Sequence, residues 1–365
     1  MQQTSPDASD IQFVGGGHVW VHANGADRRT SRDVTNEEVL TWAKIFGQRG
    51  NGDDQLRGNT SGAVENAIDI VGVRLRMTFR RQLGGYGLNV RILAQDPPTL
   101  DSARFQANPV PPKLIDIVMN NSDGVVLFEG PTGSGKSTMQ AALVAEINRH
   151  QHRHVYTVED PIEFVHVSNK SLITQRQVGS DVDSFEQGLI TAKRSKPGVI
   201  LLGELRDRTV MRAAIQSAGE GHLVLATSHA ADVASAIASF VGSFSSDEQA
   251  EIRQRLAAAL RAVVVQKLVP AKNGKVIPAR ELLVVNSTLQ AKLRETSSSE
   301  KITQALDSAA SRDQSGSFST DDDLIRLCLE DLITPEVALR YARKKLEVYD
   351  KFERTRVPNL PPRPE

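Results

Sequence analysis

The sequence predicts an α/β protein in two parts: a small α+β unit, then a larger unit built on a parallel sheet covered by helices on both faces. Three observations carry that reading. In residues 73–81 (VRLRMTFRR) Val73, Leu75, Met77 and Phe79 alternate with Arg74, Arg76, Thr78 and Arg80, the period of a half-buried strand. Residues 96–112 (DPPTLDSARFQANPVPP) hold five prolines, four of them in two close pairs, a spacing that suits a stiff linker. Beyond them the apolar runs VVLFEG, HVYTVED, GVILLGE and HLVLATS alternate with helix-like segments. Strands apolar on both faces and separated by helices belong to parallel sheets.

Each element follows from local chemistry. Residues 1–10 are polar and are expected to form a disordered lead-in. Residues 11–96 form the N-terminal unit. In it, TNEEVLTWAKIF opens with Thr35 or Asn36 ahead of Glu37 and Glu38, a helix start. The turn LGGYG then joins the strand of residues 73–81 to LNVRILA, with Leu88, Val90 and Ile92 on one face and Arg91 on the other, which completes a hairpin. Residues 97–112 are the linker, 113–285 the α/β core and 286–350 a helical C-terminal region. Residues 351–365 (KFERTRVPNLPPRPE) are the tail, whose RVPNLPPRPE is expected to fray. Residues 296–300 and 308–323, rich in Ser or Asp, read as loops.

Composition narrows the function. The 365 residues correspond to two domains at about 150 residues each. Lys and Arg together number 44, as do Asp and Glu, so no global charge marks a nucleic-acid or membrane-surface binder. The single cysteine, Cys328, excludes a disulfide framework and a cysteine zinc site, and its apolar surroundings favour core packing. No apolar stretch approaches a membrane span, and no apolar segment follows the polar start. The expected location is cytoplasmic.

Four motifs carry chemistry. Gly130-Pro131-Thr132-Gly133-Ser134-Gly135-Lys136-Ser137-Thr138 fits G-x-x-x-x-G-K-[ST], with a strand entering and a helix leaving. Glycines there let successive N–H groups turn towards phosphate oxygens, and the helix N-terminus adds positive character. Lys136 suits the β- and γ-phosphates of ATP and Ser137 suits Mg²⁺. In VEDPIEFVH, three carboxylates (Glu159, Asp160, Glu163) gather beyond a strand; one could orient or deprotonate water, or the group could be a solvated acidic turn. GVILLGELRD ends a hydrophobic strand with Gly203-Glu204, where a carboxylate could hold Mg²⁺. GHLVLATSHA brackets a strand between His222 and His229; each could sense phosphate, touch a neighbouring subunit or be structural. His150, His152 and His154 lack other ligand types nearby, which disfavours a metal site.

Taken in this order, the four blocks resemble the secretion ATPase superfamily of the PilT and GspE type, and are similar in particular to its DotB and TraJ branch of type IVB secretion and conjugation. GPTGSGKST matches its Walker A motif, VEDPIEFVH its Asp box, VILLGELRD its Walker B motif and GHLVLATSHA its His box. The resemblance implies a PAS-like N-terminal domain, a RecA-like ATPase core and a homohexamer with ATP between subunits. It implies docking on an inner-membrane platform at the cytoplasmic face, with other machine components as partners and no nucleic acid. Glu163 would be the catalytic base, Glu204 the metal-side acid, and His222 and His229 the His-box pair. Arg76 and Arg91 would be lent to the nucleotide by the N-terminal sheet, with Arg80 or Arg81 nearby, while Arg194 and Arg206 would flank Walker B. The sequence departs from the family at Ile190, where an arginine is common, and at Ser228-His229-Ala230. It also lacks the AIRNL motif of retraction ATPases, having STLQAKLRE at residues 287–295. SFSSDEQ, VVQKLVP and ARELLVV lie nearer DotB and TraJ. The rival classes, a nucleic-acid motor and a small-molecule P-loop kinase, leave the neutral charge or the N-terminal arginines unexplained.

Overall fold

The structure, a computed structural model, describes residues 8–23, 26–47, 52–58, 63–70, 73–93, 96–295, 298, 300–304 and 316–364. The chain divides into two compact units, Met1–Pro97 with Val158–Val167 and Gln175–Gly188, and Pro98–Thr157 with Ser168–Thr174 and Leu189–Glu365.

The first unit opens with strands β1 (Ala8–Val14), β2 (Gly17–Ala23) and β3 (Ala26–Val34). Helices α1 (Asn36–Phe46) and α2 (Gly52–Gly58) follow, then β4 (Ala63–Ile70), β5 (Val73–Gln82) and β6 (Gly85–Ile92). The six strands form one sheet in the order β3-β2-β1-β6-β5-β4. Met77, Phe79, Leu88 and Val90 pack with Ile11, Phe13, Val39 and Ala43 into one apolar cluster, so the alternation of β5 delivers a core face as its period requires. Thr35 caps α1 in a reciprocal capping box with Glu38. Asn36 instead grips the β5–β6 turn: its Oδ1 accepts from Tyr86 N at 2.8 Å and its Nδ2 donates to Gly84 O at 3.1 Å. Gly85, at φ +147°, leaves the room this needs, since a Cβ there would fall 1.9 Å from Asn36 Oδ1.

The second sheet has seven strands in the order β13-β12-β7-β11-β10-β8-β9. Two helices precede it, α3 (Ala103–Gln106) and α4 (Pro112–Asn120). The chain then runs β7 (Gly124–Glu129), α5 (Lys136–His150), β8 (His154–Glu159), β9 (Leu172–Gln177), α6 (Phe185–Arg194), β10 (Val199–Leu202), α7 (Arg208–Gly219) and β11 (Leu223–Thr227). Helices α8 (Val233–Gly242) and α9 (Gln249–Ala259) lead to β12 (Leu260–Pro270), β13 (Val276–Val284) and α10 (Ser287–Glu295). Every residue of β7, β10 and β11 is buried, as a sheet covered on both faces demands. β12, β7, β11 and β10 run parallel.

Three stretches differ from the sequence expectation. β1 begins at Ala8, inside the expected lead-in, whose first seven residues lie outside the described ones. The proline-rich stretch does more than link: Phe105 and Val110 join the core around β7 and α5, and Pro112 supplies the first position of α4, where a missing N–H costs nothing. The C-terminal region contains α11 (Thr320–Leu329), α12 (Pro335–Tyr341) and α13 (Lys345–Arg354). Asp321, Asp322 and Asp323, expected in a loop, form the acidic first turn of α11 behind the Ser319 cap; residues 296, 297, 299 and 308–315 of the expected loops lie outside the described residues. The expected tail is anchored: Phe352 is wholly buried, with Val357 and Leu360 half-buried, against an apolar cluster that includes Leu324, Leu327 and Leu339 of α11 and α12. Arg363 also pairs with Asp350 at 2.7 Å. Cys328 is buried in that cluster, as its apolar context suggested.

Candidate functional site

The glycine-rich loop leaves the buried end of β7 and enters α5. Gly130, Gly133 and Gly135 have φ of +129°, +78° and +90°, values that turn the chain back on itself and point its N–H groups inward. Gly130 has no substitute, since a Cβ there would lie 2.1 Å from Gln266 O. Gly135 caps the 15-residue α5 without a side-chain hydrogen bond, so the first-turn N–H groups are not met by a capping side chain. Ser134 Oγ is buried with no hydrogen-bond partner among the described residues. Lys136 folds back over the loop, donating to Gly130 O at 2.6 Å and Pro131 O at 3.1 Å. Pro131 and Thr132 are exposed, and Ser137 and Thr138 are half-buried on the first turn of α5. An unmet hydroxyl, an ammonium and a helix N-terminus in one loop fit a polyphosphate.

Parallel register brings two more motifs to the same edge. Thr227 pairs with Phe128, and Leu202 with Ala226, so β7, β10 and β11 end level. Ser228 N then donates to Phe128 O at 3.0 Å and Leu205 N to Thr227 O at 2.9 Å. Just beyond, Glu204 accepts from His229 Nε2 and from Arg206 Nε, each at 2.8 Å. Burial works to raise the Glu204 pKa, but these two partners outweigh it and hold the carboxyl below its ordinary value. An ionised carboxylate is what a divalent cation beside phosphates requires, so Glu204 and Ser137 fit Mg²⁺ chemically. Glu129, 2% exposed, is another acid at this edge, at the end of β7. Burial raises its pKa to about 7, against the N–H of Ala230 (2.9 Å) and the charge of Lys136.

The first unit holds the remaining candidates. Arg76 and Arg91 stand opposite each other across β5 and β6, the first paired with Glu65 at 3.1 Å and the second with Asp10 at 2.8 Å. Glu163 is half-buried between buried Ile162 and Phe164. Its segment is pinned by Gln175, whose Nε2 donates to Phe164 O at 2.9 Å and whose Oε1 accepts from His166 N at 2.8 Å. Burial lowers the His166 pKa to about 4, so that ring is neutral at physiological pH.

Comparison with known proteins decides the family. The family described as type II/IV secretion system protein matches residues 60–316. The chain belongs to it. The crystal structure of the pilus retraction motor PilT with bound ADP is 30% identical and superposes with a TM-score of 0.81 over 93% of this chain and 95% of that one. The ATPase DotB of Legionella pneumophila is 26% identical, with a TM-score of 0.80 over 91% of this chain and 90% of that one. The type IV pilus retraction ATPase PilT of Pseudomonas aeruginosa is 35% identical over 230 residues, 63% of this chain and 64% of that protein. The chain spans less than two thirds of the length of the first curated relatives it matches. The secretion ATPase fold is therefore the one observed: a RecA-like core on a parallel sheet, preceded by a smaller N-terminal α+β domain.

Within this family fold, two expected site residues stand at the edge of the sheet opposite the phosphate loop. His222 precedes β11, and its Nδ1 lies 2.7 Å from Pro197 O; its carbonyl accepts from Gly124 N at the start of β7 (3.2 Å). The five-residue strand separates it from the loop edge by about 16 Å, at 3.3 Å per residue. Arg194 ends α6 on the approach to β10, at that same far edge, and is exposed. Neither stands beside the phosphate loop of its own chain, where roles in binding or turning over that chain's nucleotide would have placed them. The histidines at 150, 152 and 154 form no metal group: His150 pairs with Glu146 and His154 with Thr174, and none exists among the described residues. Sequence reasoning missed Glu129, read as the end of an apolar run, although a charge in such a strand was a signal. It also passed over Arg74, which binds Asp69 at 2.6 Å and Gln177 at 3.3 Å.

Proposed function

We propose that this chain is a subunit of a hexameric, Mg²⁺-dependent ATPase that drives type IV secretion or conjugal transfer. The observation that carries it is the joint placement of the phosphate loop and the Glu204–His229 pair on one sheet edge, in a family whose solved members include a motor with bound ADP and an ATPase. Lys136 would leave its two loop carbonyls to hold the β- and γ-phosphates. Mg²⁺, held by Ser137 and Glu204, would neutralise phosphate charge. Glu163 would take the proton of the attacking water, and His229 would report phosphate to Glu204. Arg76, Arg91 and Arg206 would stabilise transition-state charge, the first two from a neighbouring subunit. The partners would be other copies of this chain and an inner-membrane platform, approached from the cytoplasmic side; no helix of the described residues is long and apolar enough to cross a membrane.

A second reading, pilus retraction, is favoured by the similarity to PilT. The Ser228-His229-Ala230 ending and the absent AIRNL motif favour secretion. Two experiments test the proposal. Lys136→Ala should abolish ATP hydrolysis and nucleotide binding, whereas Glu163→Gln should keep binding and lose turnover; equal loss of binding in both contradicts these roles. Deletion in the host should block conjugal transfer or protein export, and loss of twitching alone would select retraction.

A further inference from the structure

We propose that Gln266 and Arg280 are positioning residues of the phosphate loop: Gln266 holds the loop at Ser134, and Arg280 fixes which way the Gln266 amide faces. The inference rests on the loop binding nucleotide, as proposed above. Gln266, on β12, is 4% exposed and donates from Nε2 to Ser134 O at 2.5 Å. Its backbone oxygen is the atom a Cβ on Gly130 would strike at 2.1 Å, and its Nε2 the atom a Cβ on Gly135 would meet at 2.8 Å. One residue thus lies against the loop at its first glycine, its buried serine and its last glycine.

An amide can present either its oxygen or its nitrogen, and its neighbours decide which. Ser134 O accepts only, so it needs the nitrogen. Arg280, on β13 and 1% exposed, enforces that choice because a guanidinium only donates: its Nε gives a hydrogen bond to Gln266 Oε1 at 2.9 Å. A flipped amide would set donor against donor at Arg280 and lone pair against lone pair at Ser134. Arg280 is itself anchored, donating to Pro109 O at 2.7 Å and to Asn108 O at 3.2 Å. Its own N–H donates to Asp323 Oδ2 at 2.8 Å. The packed stretch ahead of α4 therefore orients an amide that in turn shapes the loop. A loop released from this tie must be ordered by its ligand, so apparent affinity falls with the fraction of competent conformers.

Gln266→Glu tests this with almost no change of volume: it keeps an acceptor for Arg280 but turns an oxygen towards Ser134 O. Binding of fluorescent mant-ADP and mant-ATP should weaken about tenfold, the loss expected for one buried hydrogen bond turned repulsive. KM for ATP should rise in step while kcat stays within about twofold. ADP and ATP should lose equally, since the tie concerns the loop and not the γ-phosphate. Arg280→Lys, which keeps a buried donor, should lose about threefold and serves as the deciding variant if Gln266→Glu does not fold. Thermal midpoints recorded on the same samples separate structure from positioning. Lower midpoints with wild-type affinity and KM would overturn the inference and leave the ATP reading intact. Wild-type protein that binds neither nucleotide would overturn both.

Discussion

Glu129→Gln is the sharpest test of the electrostatics at the loop edge. The carboxyl is buried beside Lys136, and its pKa rises from 4.5 to about 7 chiefly through loss of solvent. At about 1.36 kcal/mol per unit, that shift means ionised Glu129 costs the fold about 3 kcal/mol. The sign follows from linkage. The native state holds its proton more tightly than the unfolded chain, so the stabilising contribution is complete below pH 4.5 and is lost as pH rises through 7. A glutamine keeps an acceptor for the N–H of Ala230 but never ionises. The variant should therefore match wild type near pH 4.5 and exceed it by up to about 3 kcal/mol at pH 8. For a unit of about 150–250 residues this is roughly 6–12 °C in unfolding midpoint. Thermal melts of both proteins at half-unit intervals from pH 4.5 to 8 give the curve. A difference that stays flat with pH, or a glutamine variant less stable at pH 8, would refute the argument.

Three further outcomes are expected. His222→Ala should leave ATP turnover within about twofold and lower stability by about 1 kcal/mol, the value of one hydrogen bond to Pro197 O; a large fall in turnover would return His222 to the site. Phe352→Ala should cost about 3–5 kcal/mol in urea unfolding, whereas a frayed tail would register almost nothing. Mixing Arg91→Ala with Glu163→Gln protein should restore activity above the weighted sum of the two, because each defect would lie on a different side of a shared site; mixtures that only average, despite co-assembly, would exclude arginines acting in trans.

The parts legible in the sequence were those written in short spacings. The loop from Gly130 to Thr138 announces itself by glycine placement, and the alternation through Met77 and Phe79 names its own buried face. What stayed hidden depended on direction or on distant partners. HLVLATS reads as a strand with His222 and His229 at its two ends, yet only the parallel sheet reveals which of those ends lies beside Glu204. Prolines at 97, 98, 109, 111 and 112 argue against regular structure around them but not against packing, and Phe105 and Val110 are core residues between them. The last 15 residues look polar and proline-rich, but three apolar side chains, Phe352, Val357 and Leu360, suffice to dock them. The Gln266–Arg280 tie joins residues from two strands to a loop more than a hundred positions earlier, which no local pattern encodes.

On the nucleotide reading proposed above, the resting posture of Lys136 would set a threshold for what the loop accepts. Its ammonium is already stripped of bulk water and satisfied by the carbonyls of Gly130 and Pro131. An incoming molecule gains nothing by merely being polar; it must offer oxygens more negative than two peptide groups. Sugar hydroxyls fall short, and a lone monovalent anion brings one charge where the strand of N–H groups can greet several. Discrimination by charge density would then be built into the ground state, with the lysine as a latch that only a multiply charged guest has reason to lift.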